Sequence, residues 1–208
     1  MNDHTHPTQD EVEFLTLGFN RFLDLHKKIM SDVFWDENPS QRFLKTKELF
    51  AVYSEILKYP PVQWVIDANK RPNHSDVGRD LFKFIRHILM HFPFFDSWDD
   101  AWIKQSLVNL YSTRPQFIDK FLSNNEGKEQ LKYRFWEEDK KRMTYIAISF
   151  PKGYTNGEKI FLKNILPEKD GVKFSSIFMW DILQIQVEEI NENSKQQANP
   201  SDACSTRK

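Results

Sequence analysis

The sequence predicts a mainly α-helical protein, a helical bundle followed by a small C-terminal α+β addition. Three observations predict it. The 208-residue chain holds only 6 glycines, few for a β-rich or phosphate-loop protein whose turns need positive φ. Through most of its length, apolar residues recur at the three- and four-residue spacing of amphipathic helices. Behind them a β-branched and aromatic stretch, Met143 to Phe150, is followed by the turn dipeptide Asn156-Gly157. Hydrophobic residues make up 39% of the chain, with 18 Phe and 6 Trp, enough to bury a sizeable core.

Residues 1–9 are polar and read as a disordered start. Val12, Phe14, Leu17, Phe22, Leu25, Ile29 and Val33 predict a helix from about Asp10 to Phe34, broken by Asp36 to Pro39. Phe43, Leu49, Phe50, Tyr53, Ile56 and Leu57 carry a second helix to the Pro60-Pro61 stop. A short helix is expected over Val62 to Ala68, then a polar turn from Asn69 to Ser75. Ser75 or Asp76 caps a strong helix over 76–92, ended by Pro93 because the residue before a proline avoids the helical region. Ser97 and Asp100 have capping-box spacing and predict a helix to about Tyr111. Thr113 caps another, starting at Pro115 with Phe117, Ile118, Phe121 and Leu122.

The charged run from Glu137 to Arg142 reads as a solvated helix face, closing a bundle over residues 10–142. The addition spans 143–190: a hairpin or three short strands (Met143 to Phe150, Lys159 to Leu166, and Val172 to Phe178 after Asp170-Gly171), then a final helix from about Met179 to Ile190. Residues 191–208, rich in Asn, Gln and Ser, read as a disordered tail.

Acids number 30 and bases 29, for a net charge of −1. A protein that coats DNA is usually strongly basic, so that class is disfavoured. The lone cysteine, Cys204, permits neither an internal disulfide nor a multi-cysteine zinc site. The start has no apolar core like that of a signal peptide, and no apolar run approaches the roughly 20 residues of a membrane span. The expectation is a cytoplasmic protein with no membrane partner.

The most informative segment is Asp80-Leu81-Phe82-Lys83-Phe84-Ile85-Arg86-His87-Ile88-Leu89-Met90-His91-Phe92-Pro93. At about 100° per residue, Leu81, Phe84, Ile85, Ile88, Leu89 and Phe92 form one apolar stripe, while Lys83, Arg86, His87, Met90 and His91 fall on the other side. An imidazole titrates near neutrality, which suits proton transfer, and a guanidinium offers a planar multi-donor fork for phosphate oxygens.

Arg86-His87-Ile88-Leu89-Met90-His91 resembles the R-x4-H signature of HEPN domains, including a polar residue directly after the arginine. The bulky apolar run before it and the all-α context are similar to that family as well. The resemblance covers the motif helix and its bundle, not the whole chain. It implies a homodimer whose two motifs face one cleft and cut RNA without metal or cofactor, a bacterial toxin or phage-defence effector with an antitoxin or other protein partner. On that resemblance Arg86 stabilises the scissile phosphate, His91 acts on the ribose 2′-hydroxyl, and His87 orients the phosphate or its partner. Positive potential for RNA would have to be local, from Lys70, Arg71, Arg79 and Lys83 beside Arg86. Arg86 and His91 lie about 140° apart on an ideal helix, a separation that a long arginine side chain, the helix end at Pro93 and a two-fold composite site relax.

Plainer readings stay open. His91 in a last helical turn interacts favourably with the exposed carbonyls, and Arg86 fits a surface ion pair with Asp80 or a neighbouring acid. His87 and His91, four apart, have the spacing of a metal pair that Asp96, Asp99 or Asp100 would complete. The whole bundle is also consistent with a non-catalytic module that binds a protein, nucleotide or RNA.

Overall fold

The computed structural model describes residues 8–60, 62–63, 76–109, 115–137 and 140–197. It is mainly helical with two small antiparallel β-pairs. Helix α1 (Gln9–Met30) starts on a complete capping box, with the Thr8 hydroxyl accepting from the Glu11 amide and the Glu11 carboxylate accepting from the Thr8 amide. A 3-10 turn (Asp32–Asp36) leads to α2 (Pro39–Ile56), which has Asn38 as its cap and Pro39 at its first position. The buried row of α1 is Leu15, Phe22, Leu25 and Ile29, whereas Val12, Phe14, Leu17 and Val33 are exposed. The apolar stripe predicted for this helix is therefore misplaced at both ends.

Helix α3 (Asp76–His91) is the motif helix, and its observed bounds agree with the predicted 76–92 to one residue. It packs between α2 and the last helix through Phe82, whose ring stacks 5.6 Å from Phe50 and 4.5 Å from Phe178. After it the chain differs from expectation. The Ser97 hydroxyl does accept from the Asp100 amide at 3.1 Å, yet the long helix to Tyr111 does not form. Strand β1 (Trp102–Ile103) comes first, then only one turn of helix, α4 (Gln105–Val108). The pairing of β1 with distant β4 (Ile160–Phe161) accounts for this, since a sequence-distant partner overrides a local cap. Helix α5 (Pro115–Asn125) starts where predicted.

The charged run is not a helix face. Residues Glu129–Glu137 form strand β2, paired with β3 (Arg142–Ser149) from Glu129↔Ser149 to Glu137↔Arg142. The sheet thus begins before residue 143, and residues 140 and 141 lie in the turn before β3. Beyond β4, α6 (Leu162–Ile165) replaces most of the predicted second strand.

The third predicted strand does not exist. Val172 to Phe178 lies inside α7 (Glu168–Gln197), which also takes in residues 191–197 of the predicted tail. Residues 171–179 are buried all round, and such a run carries no periodicity that separates strand from helix. Helix α7 packs against α1, α2 and α3, so residues 143–190 do not stand apart from the bundle: their helix completes its core. Residues 1–7, 61, 64–75, 110–114, 138–139 and 198–208 lie outside the described residues. With them go the rest of the 62–68 helix, the 69–75 turn and the Ser75 and Thr113 caps.

One group in α7 is out of keeping with its surroundings. Asp181 is half-buried, and burial pushes its carboxyl up to about 6. A raised folded value means that stability falls as pH rises from about 4 through 6, because the unfolded carboxyl ionises near 3.9. Asp181→Asn is expected to stabilise the protein by roughly 1–2 kcal/mol at pH 8, allowing for solvent screening, and to have little effect at pH 4. Urea titrations at both pH values check this, and equal effects at the two would contradict it.

Candidate functional site

The motif helix is built as its pattern dictates. Leu81, Phe84, Ile85, Ile88 and Leu89 are buried, Phe92 is half-buried, and Phe82 joins them below. Burying this stripe fixes the rotation of the helix and sends Arg79, Lys83, Arg86 and His91 to solvent, with His87 and Met90 half-buried at the margin. The helix end is anchored by Lys47 of α2, whose ammonium donates to the carbonyls of Pro93 at 2.8 Å and Phe95 at 2.6 Å. Burial draws that ammonium down from its ordinary value.

His87 and His91, one turn apart, bring their rings to 5.1 Å in an edge-on arrangement. The His87 ring also lies 5.4 Å from Phe117 of α5, and its Nδ1 is shielded from solvent. The Lys83 ammonium stands 5.9 Å from the same Phe117 ring. Arg86 is exposed and, among the described residues, makes no hydrogen bond or ion pair, with Asp80 or any other acid. His91 is the last residue of its helix, so the favourable interaction with terminal carbonyls holds there whatever else the ring does. Lys70 and Arg71 lie outside the described residues.

No three His, Cys, Asp or Glu side chains among the described residues come together as a metal set. Asp100 is engaged by Ser97 at 2.7 Å, and Asp96 and Asp99 are exposed. The first Trp of the Trp98-x3-Trp102 pair is core, 1% exposed, with its indole N–H donating to the Leu166 carbonyl at 2.9 Å.

Two polar arrangements escaped sequence reading. His26 Nδ1 lies 2.9 Å from the Ser176 hydroxyl, and its ring belongs to a three-ring cluster with Phe22 at 6.1 Å and Trp180 at 5.7 Å. A serine beside an imidazole suggests a nucleophile and base, but Ser176 is fully buried in the middle of α7, out of reach of any substrate. The pair is a structural hydrogen bond, and its 150-residue separation left no local signal.

The second is centred on Glu137 at the end of β2. Its carboxylate accepts from the Thr144 hydroxyl and lies 3.2 Å from Lys140, 3.5 Å from Arg142 and 3.6 Å from Lys173 of α7. Burial alone would push this carboxyl up, but Thr144 and the cations outweigh it and hold it at about 2. A carboxylate that acidic and that well matched is a poor base, and both Glu137 and Lys173 side chains are only 5% exposed. This cluster joins hairpin to bundle.

No family model, curated protein or solved structure matches the chain. Among the described residues, no helix is long and apolar enough to cross a membrane.

Proposed function

We propose that the chain is a metal-independent endoribonuclease of HEPN type, a toxin or phage-defence effector that cuts RNA by attack of the ribose 2′-hydroxyl at a site composed from two copies. The observation that carries this reading is the solvent face of the motif helix: an unengaged Arg86 guanidinium and an exposed His91, with the His87 ring 5.1 Å from that of His91. Arg86 binds the scissile phosphate and stabilises its added charge. His91 takes the 2′-hydroxyl proton as that oxygen attacks phosphorus; the bond from phosphorus to the 5′-oxygen breaks, leaving a 2′,3′-cyclic phosphate, and the departing 5′-oxygen takes a proton from water. His87, held against Phe117, orients the phosphate or the partner's imidazole. Arg79 and Lys83, with Lys70 and Arg71, supply local positive potential. The R-x4-H resemblance supports this assignment, and a protein antitoxin covering the face would silence it.

The overall charge of −1 favours a second reading, a non-catalytic module that binds RNA, a nucleotide or a protein through the same face. One experiment separates the two. Purified protein is incubated with total RNA in excess EDTA, beside folded Arg86→Ala and His91→Ala variants. Each substitution is expected to reduce cleavage at least about a hundredfold. Cleavage that survives both overturns the assignment, and absence of cleavage by the wild type leaves the binding module.

A further inference from the structure

One edge of the β2–β3 hairpin is open and unguarded. Phe150 bonds to the two residues before β2, its N–H donating to the Lys128 carbonyl at 2.9 Å and its carbonyl accepting from the Gly127 amide at 2.8 Å. In an antiparallel pair alternate residues bond to the partner strand, so Ile148, Ile146, Thr144 and Arg142 also face β2. The register irregularity between Leu131 and Tyr133 adds its extra residue to β2 and leaves β3 in phase. Met143, Tyr145, Ala147 and Ser149 therefore turn their N–H and C=O groups to the free edge. Among the described residues, none of these four makes a backbone bond outside the hairpin. Free edges are normally blunted by charge, a proline, a bulge or shortness. Strand β3 has eight residues, and from Met143 to Phe150 none is charged, proline or glycine. Helix α6 does not close the edge, since an open groove of about 520 Å³ is lined by Ala147 and Ser149 of β3 and by Lys163 and Asn164 of α6.

A row of backbone donors and acceptors on an uncharged strand fits another strand. The side chains indicate which one. Antiparallel pairing of two β3 strands about a two-fold axis at Ile146 sets Met143 opposite the partner's Ser149 and Tyr145 opposite the partner's Ala147. Every open residue of one copy then meets an open residue of the other. On the outward face, where Met143 and Tyr145 are 42% and 57% exposed, each large side chain meets a small one. Neighbouring registers fit worse. An axis at Tyr145 leaves Ser149 against the turn residue Lys141, at φ 46, and one at Ala147 leaves Met143 against Pro151, which has no N–H. The Ile146 register also brings the exposed Arg142 of each copy opposite Phe150 of the other. It arrives beside Ser149 and its cross-strand neighbour Glu129, an exposed acid that lines the groove. We infer that the chain self-associates through β3, two copies joining their hairpins antiparallel about Ile146 into one four-stranded sheet. Two eight-residue strands make a small interface beside those of permanent dimers, so the association is reversible and of micromolar strength. Helix α3 contacts β2, so this contact is separate from the motif face and stands whether or not RNA is cut.

The test is disulfide trapping in full-length protein carrying Cys204→Ser. Tyr145→Cys protein mixed with Ala147→Cys protein is expected to cross-link on mild oxidation, since directly opposed residues lie about 5.5 Å apart at Cα. Either protein alone should cross-link at least about tenfold less, because its thiols would sit on diagonal positions about 7–8 Å apart. Equal cross-linking in the single proteins, or none in the mixture, overturns the inference. Sedimentation velocity reads the same contact without thiols. Ala147→Pro, which removes one edge N–H and no β2–β3 bond, and Ala147→Lys are each expected to weaken the association at least about tenfold. The loss is read as dimer to monomer, or as tetramer to dimer where the motif faces also pair. Far-UV circular dichroism establishes that each variant is folded. Unchanged association in either folded variant overturns the inference. So does a wild type that stays monomeric at about 100 µM, which would leave the edge to a strand of another protein. A dimer that persists in these variants but is lost in a motif-face variant belongs to the ribonuclease reading, so the two readings fail separately.

Discussion

Replacing Glu137 by Ala is expected to destabilise the protein by about 3–5 kcal/mol, the usual cost of removing one member of a buried ion pair. Lys173 would remain on α7 with its nearest anion gone and too little water to solvate it, since its side chain is 5% exposed. Burial already draws the Lys173 ammonium down from its ordinary value, so deprotonation limits the loss without removing it. The loss comes from the stranded cation rather than the net strength of the pair, so Glu137→Met combined with Lys173→Met should restore most of the stability. Denaturant midpoints of the two single variants and the double variant decide this, and additive losses would refute it. The acid limb gives a second check. With the folded carboxyl at about 2 and the unfolded one near 4.3, the Glu137 contribution is complete above about pH 5 and is lost as pH falls through 2. The gap between wild type and Glu137→Gln should close over that interval.

Gly171→Val is expected to cost about 2–4 kcal/mol, and Gly171→Ala to destabilise as well. An alanine inside a helix normally gains about 1 kcal/mol over glycine, so the sign is the informative part. A Cβ at Gly171 would lie 2.5 and 2.6 Å from two ring carbons of Trp98 and 3.0 Å from a Leu166 methyl. The indole cannot withdraw, because it is buried and its N–H is bonded to the Leu166 carbonyl at 2.9 Å. Overpacking of this kind forces backbone or rotamer shifts. Trp98→Phe removes the atoms met by the new Cβ, so Gly171→Ala should be less harmful in that background than in wild type. Urea midpoints measure all five proteins, and a neutral or stabilising Gly171→Ala would show that α7 shifts away from Trp98 without loss.

Much of the candidate face was legible because it depends on one helix. Burying Leu81, Phe84, Ile85, Ile88 and Leu89 leaves few choices for where Arg86 and His91 point, and Pro93 closes the helix whatever its neighbours do. The Phe117 ring against His87, and the Lys47 ammonium that holds the Pro93 and Phe95 carbonyls, come from other elements. They could not be read from the motif.

The β-rich part was half legible. The alternation of Met143 to Ser149 names its strand. Its partner Glu129–Glu137 is hidden in the sequence because charges crowd its far end, and a run of charge there has the pattern of a solvated face. Local pattern is enough for the mainly helical class, the course of α2, α3 and α5, the β3 strand and the polar face of the motif helix. In each of these a local period or a proline outweighs any distant contact. Long-range packing is what makes Val172 to Phe178 helix, closes the bundle core with α7, leaves Ser97 and Asp100 without a long helix to cap, and puts Glu137 inside. Each of those outcomes is set by a partner far along the chain, α1, α2 and α3 for α7, β4 for β1 and Lys173 for Glu137, and burial against such a partner carries more free energy than local propensity does.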